Sequence, residues 1–174
     1  MDSDNSNNIM QITKEDLEKL LCQQLGSDLK VKDFTSKYLT KPGENWGSTI
    51  LSVEIFYQKG ENSQLQKLSM VAKLVPESPF LQEMFDVRIT VKKEIRLYTL
   101  VKPEFDSLQK ERGIPENEII DVLPYYYGSR FNKENNVNGS VDNSAILLLE
   151  NLKVPGYTLG DRKKGFNLKH MELT

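Results

Sequence analysis

The chain is poor in the residues that most often carry chemistry: it has one cysteine, Cys22, and one histidine, His170. A disulfide within the chain needs two thiols, so none can form, and the usual zinc site of four Cys/His ligands cannot be assembled. Cys22 lies in "LEKLLCQQL", where a small buried helix residue is the expectation. No apolar run approaches the ~20 residues that a membrane span requires. The amino terminus, "MDSDNSNN", is polar and acidic, the reverse of a secretion signal, so Asn138-Gly139-Ser140 is a glycosylation triplet in name only. A cytoplasmic location is the expectation. Neither sign of charge is in excess. Lysine and arginine number 23 against 25 acids, a net charge of −2, and that balance gives no electrostatic case for nucleic acid or an anionic membrane as partner. Arg162-Lys163-Lys164 reads as solvated surface. A Gly-Lys-Ser/Thr sequence is lacking, and so are an internal repeat and a βαβ alternation, which leaves a Rossmann fold unsupported.

What is present fits one domain, since 174 residues can bury a sizeable core. Residues 1–10 read as a disordered tail. A helix is expected from Thr13, a cap ahead of two acids, to Leu25, with Gly26 as its stop and Leu17, Leu20, Leu21 and Leu25 as its apolar stripe. Three strands follow in "LKVKDFTSKYLT", "STILSVEIFYQ" and "LQKLSMVAKLVP". In the second, Leu51, Val53, Ile55 and Tyr57 share one face. Ser78-Pro79 then opens a long helix to about Val101, which Pro103 breaks or re-angles. A further helical piece, "EFDSLQKERG", precedes two more strands, "DVLPYYYGSRF" and "SAILLLENL", separated by the asparagine-rich "NKENNVNGSVDN", a mobile hairpin loop. The order defines an α+β fold: a five-stranded antiparallel sheet with one long helix packed on one face. The tail opens with turns and begins a helix at its end.

Lys73 is the first candidate for chemistry. Alternation puts Leu68, Met70, Ala72 and Leu74 on one face of its strand, and Ser69, Val71, Lys73 and Val75 on the other. An ammonium between two valines is costly unless a negative group meets it, or unless the strand is an edge and the lysine reaches water. On the long helix, Met84, Val87, Val91, Ile95 and Tyr98 fall on one stripe, and Glu94 lies within it. A carboxylate on a core-facing stripe needs a cation. The helix must pack on the sheet, so Lys73 with Glu94 is the simplest pairing; Arg88 or Lys92 within the helix is the alternative.

Upstream, "KPGENWGSTILSVEI" runs a glycine loop into a strand. Glycine lets main chain approach a ligand, and Ser48 offers a hydroxyl and an N–H to a phosphate. A tight turn serves the same residues. A glycine loop, a strand lysine and a helix glutamate, in that order, make up the small lobe of a kinase. The apolar strand ending in Glu150-Asn151-Leu152 is similar to a kinase hinge, though a buried central strand reads equally well.

The segments "GENWGSTILSVEI", "VAKLVP", "FDVRITVKKEIRLYTLV", "YYYGS" and "LLLENLKVPGYTLGDRKKGFNLKHMEL" resemble, in this order, the ecdysteroid kinase-like proteins, insect small-molecule kinases related to choline and aminoglycoside kinases. The resemblance runs from about residue 15 to the last residue, and its final segment is the most specific. It implies a protein kinase-like N-terminal lobe over residues 11–152, with a hinge and the start of a second lobe over 153–174. It implies ATP, with magnesium, as phosphoryl donor and a small lipophilic alcohol such as an ecdysteroid as acceptor. By this resemblance Gly43, Asn45, Gly47 and Ser48 cover the phosphates, Lys73 contacts them, Glu94 orients Lys73, and Glu150 and Leu152 give backbone contacts to adenine. Asn151 stands where many relatives have aspartate. The catalytic and magnesium-binding aspartates lie beyond the hinge in such kinases. His170 is not in a His-x-Asp sequence and Asp161 belongs to a loop, so this chain alone is expected to be inactive. The alternative is a non-catalytic binding or interaction protein that keeps the lobe's scaffold.

Overall fold

The computed structural model describes residues 12–40, 45, 47–60, 63–136, 139–158, 160, 164 and 165. The expected tail over 1–10 and the expected terminal helix around His170 lie outside them. Helix α1 spans Lys14–Leu25 and starts as its sequence dictates. Thr13 accepts the Asp16 N–H while the Asp16 carboxylate takes the Thr13 N–H, which satisfies two donors that a helix start leaves open.

Strands β1 (Leu29–Tyr38), β2 (Thr49–Lys59) and β3 (Gln66–Leu74) form an antiparallel meander. Strands β4 (Tyr126–Arg130) and β5 (Ile146–Glu150) complete it in the order β1-β2-β3-β5-β4, with every neighbouring pair antiparallel. The last strand in sequence is therefore inserted beside β3, and β4 becomes the edge.

Period-two alternation sorts the side chains into two cores. Leu51, Val53, Ile55, Met70, Ala72, Leu74, Ile146 and Leu148 face Leu17, Leu20 and Leu21 of α1. Val75, Leu147 and Leu149 face the opposite way and pack with Val87, Ile95 and Tyr98 of the long helical segment. The sheet thus carries a helix on each face, where the sequence reading has one helix on one face. Gly128 shows how closely α1 sits: a Cβ there would stand 2.8 Å from the Leu20 carbonyl oxygen. Arg130 adds a charged tie, its guanidinium meeting the Asp16 carboxylate, with a second contact at 3.3 Å.

The long helical segment is not one rod. It divides into α2 (Pro79–Met84), α3 (Val87–Arg96), a turn of π-helix over Leu97–Val101 and α4 (Lys102–Glu111). Ser78 caps α2 and proline stands in its first turn, as the sequence leads one to expect. Pro103 does not end the helix; it stands in the first turn of α4 directly after the π-turn, where the helical hydrogen-bond pattern changes. The real break is at Asp86, whose φ of 46° is left-handed. That break removes Met84 from the expected stripe: it is exposed, whereas Val87, Ile95 and Tyr98 remain buried.

The asparagine-rich loop expected to be mobile is tied down in its described part. The Asn132 amide donates to the Asn136 and Ser140 carbonyls, and the Asp142 carboxylate accepts from Lys133 and Ser144. Val141 is buried beneath it.

Candidate functional site

Strand β3 places Lys73 opposite Ile50 of β2 on one side and Leu147 of β5 on the other. It is an interior strand, which removes the edge-lysine alternative. The side chain points to the α3 face, where its ammonium donates to the Glu94 carboxylate. The two side chains are 26% and 33% exposed, so the pair is neither dry nor freely solvated. Glu94 meets Lys73 because α3 lays its apolar stripe on the sheet and Glu94 falls beside Ile95 on that stripe. Its charge is felt nearby: burial first, and the Glu94 carboxylate second, push the Tyr98 phenol above its ordinary range.

The pair lines a cleft of about 220 Å³ together with Gly47, Ser48, Leu74, Phe85, Thr90, Val91 and Leu147. The sheet forms one wall, α3 the other, and the end of the glycine loop the rim. Phe85, from the break between α2 and α3, reaches under that rim: a Cβ on Gly47 would stand 3.8 Å from the Phe85 Cβ. The arrangement offers a cation, a hydroxyl and glycine main chain to one small volume, and among the described residues the only carboxylate on its lining is already held by the cation. Such a donor set suits a polyphosphate. It does not suit a metal: among the described residues no three His, Cys, Asp or Glu come together as ligands.

Of the residues singled out in the sequence, Gly47, Ser48, Lys73 and Glu94 meet in this cleft. Asn45 stands upstream of it, where its amide donates to the Thr40 hydroxyl. Gly43 lies outside the described residues. Glu150 and Leu152 do not line the cleft. Glu150 ends β5, three residues beyond Leu147, about 10 Å along the strand at ~3.3 Å per residue. Its N–H donates to the Tyr125 carbonyl at 2.8 Å, and its carboxylate accepts the Tyr125 N–H at 3.2 Å. Leu152 closes a turn by accepting the Tyr157 N–H at 3.0 Å.

Sequence reading gave no site role to Phe85, Thr90, Val91 or Asn151. Phe85 had no signal, because an unbroken helix would have carried it elsewhere. Thr90 and Val91 follow directly from α3 packing. Asn151 does have a signal, an amide immediately after an apolar strand. It is buried, donates to the Ser69 hydroxyl at 3.0 Å and accepts the Lys153 N–H at 3.2 Å, so it fastens the end of β5 to β3.

A five-stranded antiparallel sheet in this order, with an interior-strand lysine bridged to a helix glutamate, defines a kinase-like N-terminal lobe. The particular kind follows from comparison with protein families. Residues 42–174 match the model of the ecdysteroid kinase-like family, and the chain belongs to that family. Comparison with curated proteins and with solved structures returns no match. Among the described residues no helix is long and apolar enough to cross a membrane.

Proposed function

We propose that residues 11–152 form the nucleotide-gripping lobe of a small-molecule phosphotransferase, and that residues 153–174 are the hinge and the start of a second lobe. ATP with magnesium, when bound, supplies the phosphoryl group for the hydroxyl of a small lipophilic alcohol of the ecdysteroid kind. The observation that carries the reading is the Lys73–Glu94 bridge on the floor of a cleft rimmed by Gly47 and Ser48.

Lys73 is the phosphate grip. Glu94 holds its ammonium in place at the cleft, so the cation is preorganised. Gly47 brings main chain close to the phosphates without a side chain in the way, and Ser48 adds a hydroxyl. Asn45 and Gly43 complete the cover, with Asn45 steadied by Thr40. The adenine edge lies against the end of β5. The Glu150 N–H is spent on Tyr125, so the contact at that residue falls to its carbonyl, and Leu152 contributes its N–H. Magnesium ligands and the base that deprotonates the acceptor are assigned to the second lobe, because the one carboxylate among the cleft's described lining residues is committed to Lys73.

An acyl-phosphate derivative of ATP, which acylates a lysine held next to its phosphates, tests the assignment and needs only weak binding. Peptide mapping should find Lys73 modified ahead of the exposed lysines, with protection by ATP and none by adenosine. Labelling spread evenly over surface lysines, or equal protection by adenosine, would refute the grip.

A further inference from the structure

A second cavity, of about 370 Å³, lies at the open edge of β4 and shares no residue with the Lys73 cleft. Its walls are Gln23 from α1, Arg96 at the end of α3, Thr99 and Leu100 of the π-turn, and Tyr126, Ser129 and Phe131 from β4 and its exit. The irregularity between Tyr126 and Gly128 makes this wall. It adds a residue to β4, so that Tyr126, Ser129 and Phe131 fall on the same face, toward α3.

Two features of the cavity lack protein partners. The Tyr126 and Ser129 hydroxyls are 2.8 Å apart and share one hydrogen bond, in which either is the donor. Two hydroxyls carry two protons, and their mutual bond uses one. Among the described residues nothing accepts the other, although Ser129 is only 7% exposed. The spare proton faces the cavity, so the site favours whatever brings an acceptor. At the mouth, Arg96 has no hydrogen-bond or ion-pair partner among the described residues. Around these polar groups the Leu100 side chain and the Phe131 and Tyr126 rings give the wall its apolar part, with the polar Gln23, Thr99 and Asn135 beside them. The π-turn fits the same picture, because such insertions widen a helix and concentrate at functional sites.

We infer that this cavity is a second binding site, for a small organic carboxylate with an apolar body. The carboxylate accepts the spare Tyr126/Ser129 proton and pairs with Arg96, and the body lies against Leu100 and Phe131. A carboxylate answers both features at once: it is an acceptor only, and it carries the charge that a guanidinium binds in a bidentate way. A neutral alcohol can meet the hydroxyl proton but leaves Arg96 unanswered.

The test uses 3-phenylpropionate and its neutral counterpart 3-phenylpropanol, titrated into the isotopically labelled chain without nucleotide. Backbone amide shifts should move saturably with the acid at Arg96–Leu100, Tyr126 and Ser129–Phe131, and not at Ser48 or Lys73. The alcohol should bind about tenfold or more weakly, which is the loss expected for one charge-assisted contact. Arg96→Gln, an exposed position that leaves the core untouched, should remove that preference and leave the alcohol's binding unchanged. No saturable shift up to about 10 mM acid, equal affinity for acid and alcohol, or an acid preference that survives Arg96→Gln would each overturn the site. Shifts centred on Lys73 would assign the acid to the other cleft and overturn it equally.

Discussion

Replacing Lys73 by methionine separates the bridge's two roles, in folding and in phosphate binding. Methionine keeps most of the lysine stem's volume, so the packing against Ile50 and Leu147 survives and only the ammonium is lost. Glu94 then stands alone, but a third of its side chain already reaches water, and it can rehydrate. The cost belongs between that of an exposed pair, about 0.2–1 kcal/mol, and that of a broken buried one, about 3–5 kcal/mol. Partial exposure of both partners argues for the lower end, about 1 kcal/mol. In a chain of this size that lowers the melting temperature by about 2–4 °C. Phosphate binding should suffer more. A hydrogen bond to a charged group contributes about 1.5–3 kcal/mol, or roughly ten- to 150-fold in affinity. Titration of ATP followed at the Ser48 and Lys73 amides measures the second effect, and thermal unfolding the first. Lys93→Met, on the exposed side of α3 and of the same charge change, is the control. If Lys73→Met binds ATP as tightly as that control, or if it unfolds the chain outright, the lysine is a structural residue and the functional reading fails.

Further tests bear on what holds the site in place. Gly128→Ala should cost about 1–3 kcal/mol in urea unfolding, because its Cβ would press on the Leu20 carbonyl oxygen, main chain that cannot swing aside; a change below about 0.5 kcal/mol would contradict the α1 placement. Burial raises the Asp16 carboxyl, but hydrogen bonds from Arg130 and Thr13 and the Arg130 charge outweigh it and hold its folded pKa below the ordinary value. That lowering stabilises the fold above the unfolded carboxyl pKa of ~3.9 and is lost as pH falls through the lower folded value. Arg130→Gln should therefore be less stable than wild type at pH 7, with a gap that narrows below about pH 4; a gap of constant size would place the stabilisation elsewhere. Asn151→Leu leaves the Ser69 hydroxyl and the Lys153 N–H without their partner and should cost about 1–3 kcal/mol, with faster amide exchange at Lys153 than in wild type.

The bridge was legible in the sequence because two constraints meet there. A lysine flanked by valines in a strand and a glutamate beside Ile95 on an apolar stripe each need a partner, and a helix that follows its strand directly must pack back on the sheet. The caps at Thr13 and Ser78 were legible for a similar reason, since each is local chemistry. The break at Asp86 was not. An aspartate in the left-handed region carries no composition signal, and the helical periodicity continues across it with a shifted phase. Met84 was misplaced by that shift, and Phe85, which the break delivers to the cleft, was hidden by it.

The second covering helix did leave a signal, in the difference between two strands. Strand β2 alternates, with Ser52 and Glu54 between Leu51, Val53 and Ile55, whereas β5 reads Ile-Leu-Leu-Leu without interruption. A strand apolar on both sides must be covered on both sides. Ile146 and Leu148 are covered by α1, Leu147 and Leu149 by α3 and its neighbours. The α3 face of the sheet is therefore apolar over β5 and turns polar toward β2, where Glu54 meets Lys67 near water. Lys73 stands on the strand between the two. A cation farther toward β5 would be buried without solvent access, and one farther toward β2 would be beyond the reach of α3 and Glu94. At the border an ammonium is fixed by a carboxylate and still remains open to an incoming anion.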